Sequence, residues 1–225
     1  MWLALFLALS VSAADNNEAE QLFQKMEAKL DKAKAINISF ETTYGEAALR
    51  NGQRLKGTLA AMSGNKLRLE VRGGKPDGRV HLRISNGTDE ILRGESDEGK
   101  AKPGKTPKSR TATYLTVVAR SGVLFSLLPQ VFASEDFDDY KSMFPVSGFK
   151  LGNKERVGER ETQRVDYVLG CKGKKVTYPI TVWIDLKTGL PVKRLVSDNN
   201  LTWFTETYEL TLDGKLDPKK FELPR

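Results

Sequence analysis

One cysteine and one histidine stand among 225 residues, and their scarcity excludes several chemistries. Cys171 alone cannot close an intramolecular disulfide, so the fold must rest on its core even in an oxidising compartment. A lone thiol of this kind is read as a small buried hydrophobe. His81 is the only imidazole available to a Ser-His-Asp relay or a Cys-His pair. It sits between Val80 and Leu82 on the face opposite them, which reads as an exposed strand position with no nucleophile beside it. One His and one Cys far apart do not make a metal set. The acids Glu135, Asp136, Asp138 and Asp139 lack the ligand spacing of a calcium loop. They read instead as first-turn acids of a short helix spanning Ser134–Tyr140. No catalytic residue, metal or cofactor is expected.

Long apolar runs are missing too, with one short exception. Met1–Leu9 is apolar, Ser10-Val11-Ser12-Ala13-Ala14 is small, and Asp15-Asn16-Asn17-Glu18 turns polar. A membrane anchor needs about 20 apolar residues, so residues 1–14 read as a secretory signal cut after Ala13 or Ala14. No Lys or Arg precedes the run, and no Cys stands at the junction to carry a lipid. Residues 15–225 are then expected to form a single exported domain with its own core.

Acids are absent from one segment. Between Gly99 and Arg110 lie Lys100, Lys102, Lys105, Lys108 and Arg110, which leave only +2 of the formal net charge of +7 for everything else. The excess is local, so no basic face for nucleic acid is expected, only a solvated mobile loop. Transient contact with acidic membrane headgroups is open to such a loop. Gly99–Thr106 also satisfies the phosphate-loop pattern G-x-x-x-x-G-K-[ST]. That motif needs a buried strand before it and a helix after it. Here Gly94–Glu98 is polar, Pro107 follows, and no apolar period begins before Tyr114. No nucleotide is expected.

What is present is clear periodicity. Leu22, Phe23, Met26, Leu30 and Ala33 mark one helical face, with Glu20, Gln24, Lys25, Glu27, Lys29 and Lys32 opposite, and a cap at Asn16 or Asn17. The period then drops to two at Ile36, Ile38 and Phe40. Further strands are expected at Arg54–Met62, Lys66–Arg72, Val80–Asn86 and Thr88–Leu92, with hairpin turns at Ser63-Gly64-Asn65 and Asn86-Gly87. Thr113–Leu128 reads as one or two buried helices, with Gly122 a break and Pro129 a stop. Strands resume at Phe149–Glu155, Glu161–Cys171, Tyr178–Asp185, Leu190–Asp198 and Thr202–Leu212. One-sided alternation in these segments predicts an antiparallel sheet with one buried face.

The run Trp183-Ile184-Asp185-Leu186-Lys187-Thr188-Gly189-Leu190-Pro191 is a strand, a tight turn and a returning strand. Tyr208–Leu212 follows, then Asp217-Pro218-Lys219-Lys220-Phe221-Glu222-Leu223-Pro224. This ending resembles that of the outer-membrane lipoprotein carrier superfamily (LolA, LolB and RseB-like proteins), with its W-x-D-x-x-T-G-L-P hairpin and D-P-x-x-F-x-x-P tail. The resemblance implies an α+β fold: a curved antiparallel half-barrel with helices covering its concave face. It also implies a periplasmic setting and an apolar cleft that takes acyl chains. Phe40, Leu124, Phe125, Leu128, Ile180, Val182 and Tyr208 are the candidate cleft residues. The function implied is a soluble lipid- or lipoprotein-binding, carrier-like protein that opens its helical cover without covalent chemistry. Its partner would be a lipid or an acylated protein. The alternative on the same scaffold is an RseB-like regulatory protein that binds an envelope protein. The family's carrier holds its lid through an arginine bonded to backbone carbonyls. No residue matches it by motif, and Arg68 and Arg72, in an early strand, are not assigned that role.

Overall fold

Period-two alternation builds nearly the whole molecule. The computed structural model describes residues 3–49, 51–73, 78–94, 103–108, 110–124, 140–173, 175–198 and 200–224. In chain order these form α1 (Leu3–Lys32), β1 (Ala35–Tyr44), β2 (Arg54–Met62), β3 (Lys66–Gly73), β4 (Arg79–Asn86), β5 (Asp89–Gly94) and β6 (Gly104–Lys105). Then come α2 (Arg110–Ser121), α3 (Tyr140–Met143), β7 (Val146–Val157), β8 (Arg160–Gly170), β9 (Thr177–Asp185), β10 (Pro191–Asp198) and β11 (Leu201–Leu212). A single 3-10 turn, Pro218–Phe221, follows.

All eleven strands lie in one unclosed antiparallel sheet, in the order β6-β5-β4-β3-β2-β1-β11-β10-β9-β8-β7. The fold is thus two meanders, β1–β6 and β7–β11, zipped together where β1 pairs β11 from Ile36↔Leu212 to Tyr44↔Phe204. This is the expected α+β half-barrel. One face is buried: Ile36, Ile38, Leu67, Leu69, Val165, Tyr167, Ile180 and Val182 share a single core with Phe23, Met26 and Leu30 of α1 and Tyr114, Val117 and Val118 of α2. Phe23 wedges between Phe149 and Tyr167, ring centroids 5.2 and 4.7 Å away.

The turns follow their residues. Gly64 and Asn65 both take positive φ, 81° and 60°, as a two-residue hairpin turn requires. Asp185 accepts from the backbone N–H groups of Lys187 and Thr188, and Gly189 N–H closes onto the Asp185 carbonyl. Asp217 caps the final turn by accepting from Lys219 N–H. That turn packs on β3 and β4 and buries Phe221.

Four expectations are corrected. The first helix does not begin at Asn16 or Asn17; it runs unbroken from Leu3, because good helix formers precede the asparagines and the Asn17 side chain bonds Gln21 instead of the backbone. Glu27 does not face solvent: it stands one turn from both Phe23 and Leu30, and it is buried. The basic segment is not wholly a loop. Gly104–Lys105 pairs with β5, Lys105 meets Asp89 at 2.8 Å, and Arg110 opens α2 and is buried. His81 lies on the face opposite Leu82 as read, but that is the covered face, shared with Arg83, so the ring is half-buried. Burial, then the Arg83 charge, lowers its pKa to about 4. Phe125, Leu128 and the expected helix at 134–139 lie outside the described residues.

Candidate functional site

The site is built where α2 ends. Its last turn carries Val118, Ala119, Arg120 and Ser121, and Gly122 stops it with φ +96°. A left-handed residue terminates a helix naturally. Here a side chain is excluded a second time, because a Cβ on Gly122 would collide with the Glu206 carboxylate and the Tyr208 hydroxyl. The helix exposes carbonyls at this end, and the chain beyond it presents N–H groups.

Both sets are met by charged side chains on the covered face of the sheet. Val182, Arg194, Glu206 and Thr42 face one another across β9, β10, β11 and β1 in continuous register. Arg194, fully buried, donates from Nη1 to the Val118 carbonyl at 2.6 Å and from Nη2 to the Ala119 carbonyl at 2.8 Å. Glu206, also fully buried, accepts from Val123 N–H at 2.8 Å and Leu124 N–H at 2.5 Å. Its remaining capacity is taken by Thr42 Oγ1 and the Tyr208 hydroxyl. A cation thus meets the negative end of the helix and a carboxylate meets the free N–H groups after it, each the favourable sign. Burial raises the Glu206 carboxyl above its usual range, against the pull of Tyr208, Leu124, Arg194 and Val123. Burial and the neighbouring Glu206 charge push the Tyr208 phenol well up, so it stays a donor.

A second clamp grips the same turn from the side of α1. Arg120 bonds Glu27 from Nε at 2.6 Å and reaches the carbonyls of Lys141 and Phe144 from Nη1. The Tyr167 hydroxyl donates to the Arg120 carbonyl. At the other end of α2, Arg110 pairs with both oxygens of Glu90, and Asn65 accepts from Thr111 N–H.

Of the expected cleft residues, Phe40, Leu124, Ile180, Val182 and Tyr208 are all buried in the one core. The fold brings Tyr208, Leu124 and Val182 together around Arg194 and Glu206. Phe40 pairs with Tyr208 across β1 and β11. These two also border a groove of about 680 Å³ whose walls include Glu41, Lys56, Arg160 and Glu209, charges of both signs. Arg68 and Arg72 bond Glu70 and take no part in the clamp. Sequence reasoning missed Arg194, Glu206, Arg120, Glu27 and Arg110. For Glu206 the signal was present: Phe204, Glu206, Tyr208 and Leu210 alternate, which places the carboxylate on the apolar face.

Among the described residues no group of side chains could hold a metal ion. The covered, unclosed sheet defines a half-barrel with helices over one face. Among solved structures, the LprF protein of Mycobacterium bovis has this fold, with TM-score 0.50 at 10% identity over 86% of this chain and 92% of that one. MucB of Pseudomonas aeruginosa, in its complex with MucA, aligns at TM-score 0.44 and 14% identity over 92% of this chain, which spans 61% of MucB. The Mycobacterium tuberculosis lipoprotein LppX aligns at TM-score 0.44 and 12% identity over 84% of this chain and 94% of that one. No family model and no curated protein matches the sequence.

Proposed function

We propose that this chain is an exported binding protein that carries an amphiphile, a lipid or an acylated protein, beneath the α2 cover. The observation that carries the reading is the clasp itself. Arg194 and Glu206 hold the cover by its backbone and not by its side chains, so α2 can leave the sheet as a unit without unravelling. The surface it would uncover belongs to the apolar face that includes Val182, Ile180 and Phe40. An acyl chain entering there gains about 0.8 kcal/mol per methylene buried. The cycle is opening, loading and reclosure, with no bond made or broken. Residues 1–14 serve as the export signal in this reading, and no described helix is long and apolar enough to cross a membrane.

The test is mass spectrometry of lipid co-purified with the mature protein. Stoichiometric lipid that is lost in Leu124→Asp supports the carrier reading, provided the variant keeps its far-UV circular dichroism. A protein recovered without lipid in both forms sinks it. Stoichiometric capture of one envelope protein in place of lipid would move the reading to a regulatory protein on the same scaffold.

A further inference from the structure

A second, smaller recess lies away from the clasp, where α1 ends and α2 begins. Its volume is about 240 Å³. Ala33, Ile36, Ala61, Met62 and Leu115 make an apolar floor, and Lys34 and Lys108 stand exposed at its rim. Ser63, Asn65 and Thr111 are the other polar lining residues, and no lining residue is a carboxylate. Asp213 is engaged by the backbone N–H groups of Lys34 and Ala35.

The walls are fixed by hydrogen bonds that owe nothing to a ligand. Ser63 N–H donates to the Lys34 carbonyl, joining the two ends of the β1–β2 pair. Asn65 bonds outward in both directions, donating to the Pro107 carbonyl at 2.6 Å and accepting from Thr111 N–H at 2.8 Å. The recess is therefore pre-shaped, which removes part of the ordering cost of binding. Three of its lining residues are alanines, so side chains do not fill it.

We infer that this recess is a binding site for one alkyl chain bearing an anionic head, of the fatty-carboxylate type. The apolar floor takes the chain end and the two ammonium groups take the head. The volume falls below the roughly 300–1,000 Å³ of a drug-sized site, which selects a single chain over a diacyl lipid. Charge complementarity selects the anion over a cationic or zwitterionic head. The inference goes beyond the carrier reading and does not depend on the clasp opening.

The full chain, labelled with ¹³C at its methionine methyls, gives a local probe. Met62 lines the recess, whereas Met26 is buried in the core and Met143 ends α3, packed against that core. Sodium decanoate should move the Met62 resonance saturably and leave Met26 and Met143 in place. From hexanoate to octanoate, affinity should rise about fourfold per methylene, the value of a buried CH₂. Lys34→Gln with Lys108→Gln should weaken decanoate binding about five-fold or more while leaving decanol unchanged. Ala112→Trp, at an exposed lining position, should plug the recess and abolish the Met62 response. The inference is overturned if decyltrimethylammonium binds as well as decanoate. It is equally overturned if Met26 and Met143 respond while Met62 does not, an outcome that would place the chain under the clasp and leave the carrier reading standing.

Discussion

At its amino end the charges that tie α2 meet side chain to side chain, Arg110 to Glu90; at its carboxy end, beside the Arg120–Glu27 pair, two further charges, Arg194 and Glu206, hold main-chain groups. The first is an ion pair that any two well-placed elements can make. The second answers four main-chain groups, two carbonyls in the last turn of the helix and two N–H groups just beyond it, and it does so from a single register row of the sheet. An ion pair fixes where a helix lies. A clasp on the backbone also fixes where the helix stops, because its stop residue, Gly122, is pressed against the same carboxylate. The carboxy end is thus the more specific attachment and, since it involves two buried charges, the more costly one to disturb.

The largest effect should come from Glu206→Leu. It strands two N–H groups and two hydroxyls and leaves Arg194 without its cross-strand anion, so a loss of about 3–5 kcal/mol is expected by urea denaturation. Amide-exchange protection should collapse at Val123 and Leu124 first. Combining it with Arg194→Met should restore part of the loss; strict additivity would mean that the two charges do not act as one clasp.

A smaller effect is expected at the other end. Arg110 is buried but its partner Glu90 is partly reachable by water, so Arg110→Met should cost about 1–3 kcal/mol and fray the first turn of α2. The Leu124 amide should stay protected. Loss of protection at both ends together would erase the distinction between them.

The smallest effect separates the ends by pH. His81 binds its proton only near pH 4 in the fold but near 6.5 when unfolded, so the unfolded chain holds more protons between those values. Stability should therefore fall as pH drops from about 6.5 to about 4, by about 1–2 kcal/mol after allowing for the ring's partial exposure. Its neighbour Arg83 lies 5.6 Å from the Tyr114 ring of α2, so this loss belongs to the amino end. Glu206 runs the other way. Its raised pKa means the fold binds the proton more tightly, a contribution present in acid and lost as pH rises through the folded value. His81→Gln should flatten the acid limb measured by chemical denaturation, and an unchanged limb would assign it to other groups.

The strands were legible because a sheet with one covered face writes period two into its sequence, and β2 is met at both of its ends. Glu206 was legible for the same reason. Arg194 was not: it follows Lys193 directly, and the irregularity between Pro191 and Lys193 shifts the phase by which a reader would choose between them. Arg120 and Glu27 find each other across the chain, a pairing that local pattern does not carry. The half-buried face of His81 was misjudged because β4 has both faces occupied, one by α2 and its neighbours and the other by the carboxy-terminal turn around Phe221. Alternation tells two faces apart but does not say which one is wet.

The pairing of β1 with β11 has a kinetic consequence. The first strand made must wait for the last before either is fully hydrogen-bonded, since Ile36 meets Leu212 and neither half-sheet can close the centre alone. Contacts so distant in sequence are the slowest to form. A chain arranged in this way can pair its neighbouring hairpins early, but it completes the centre of its sheet only when the final strand is available.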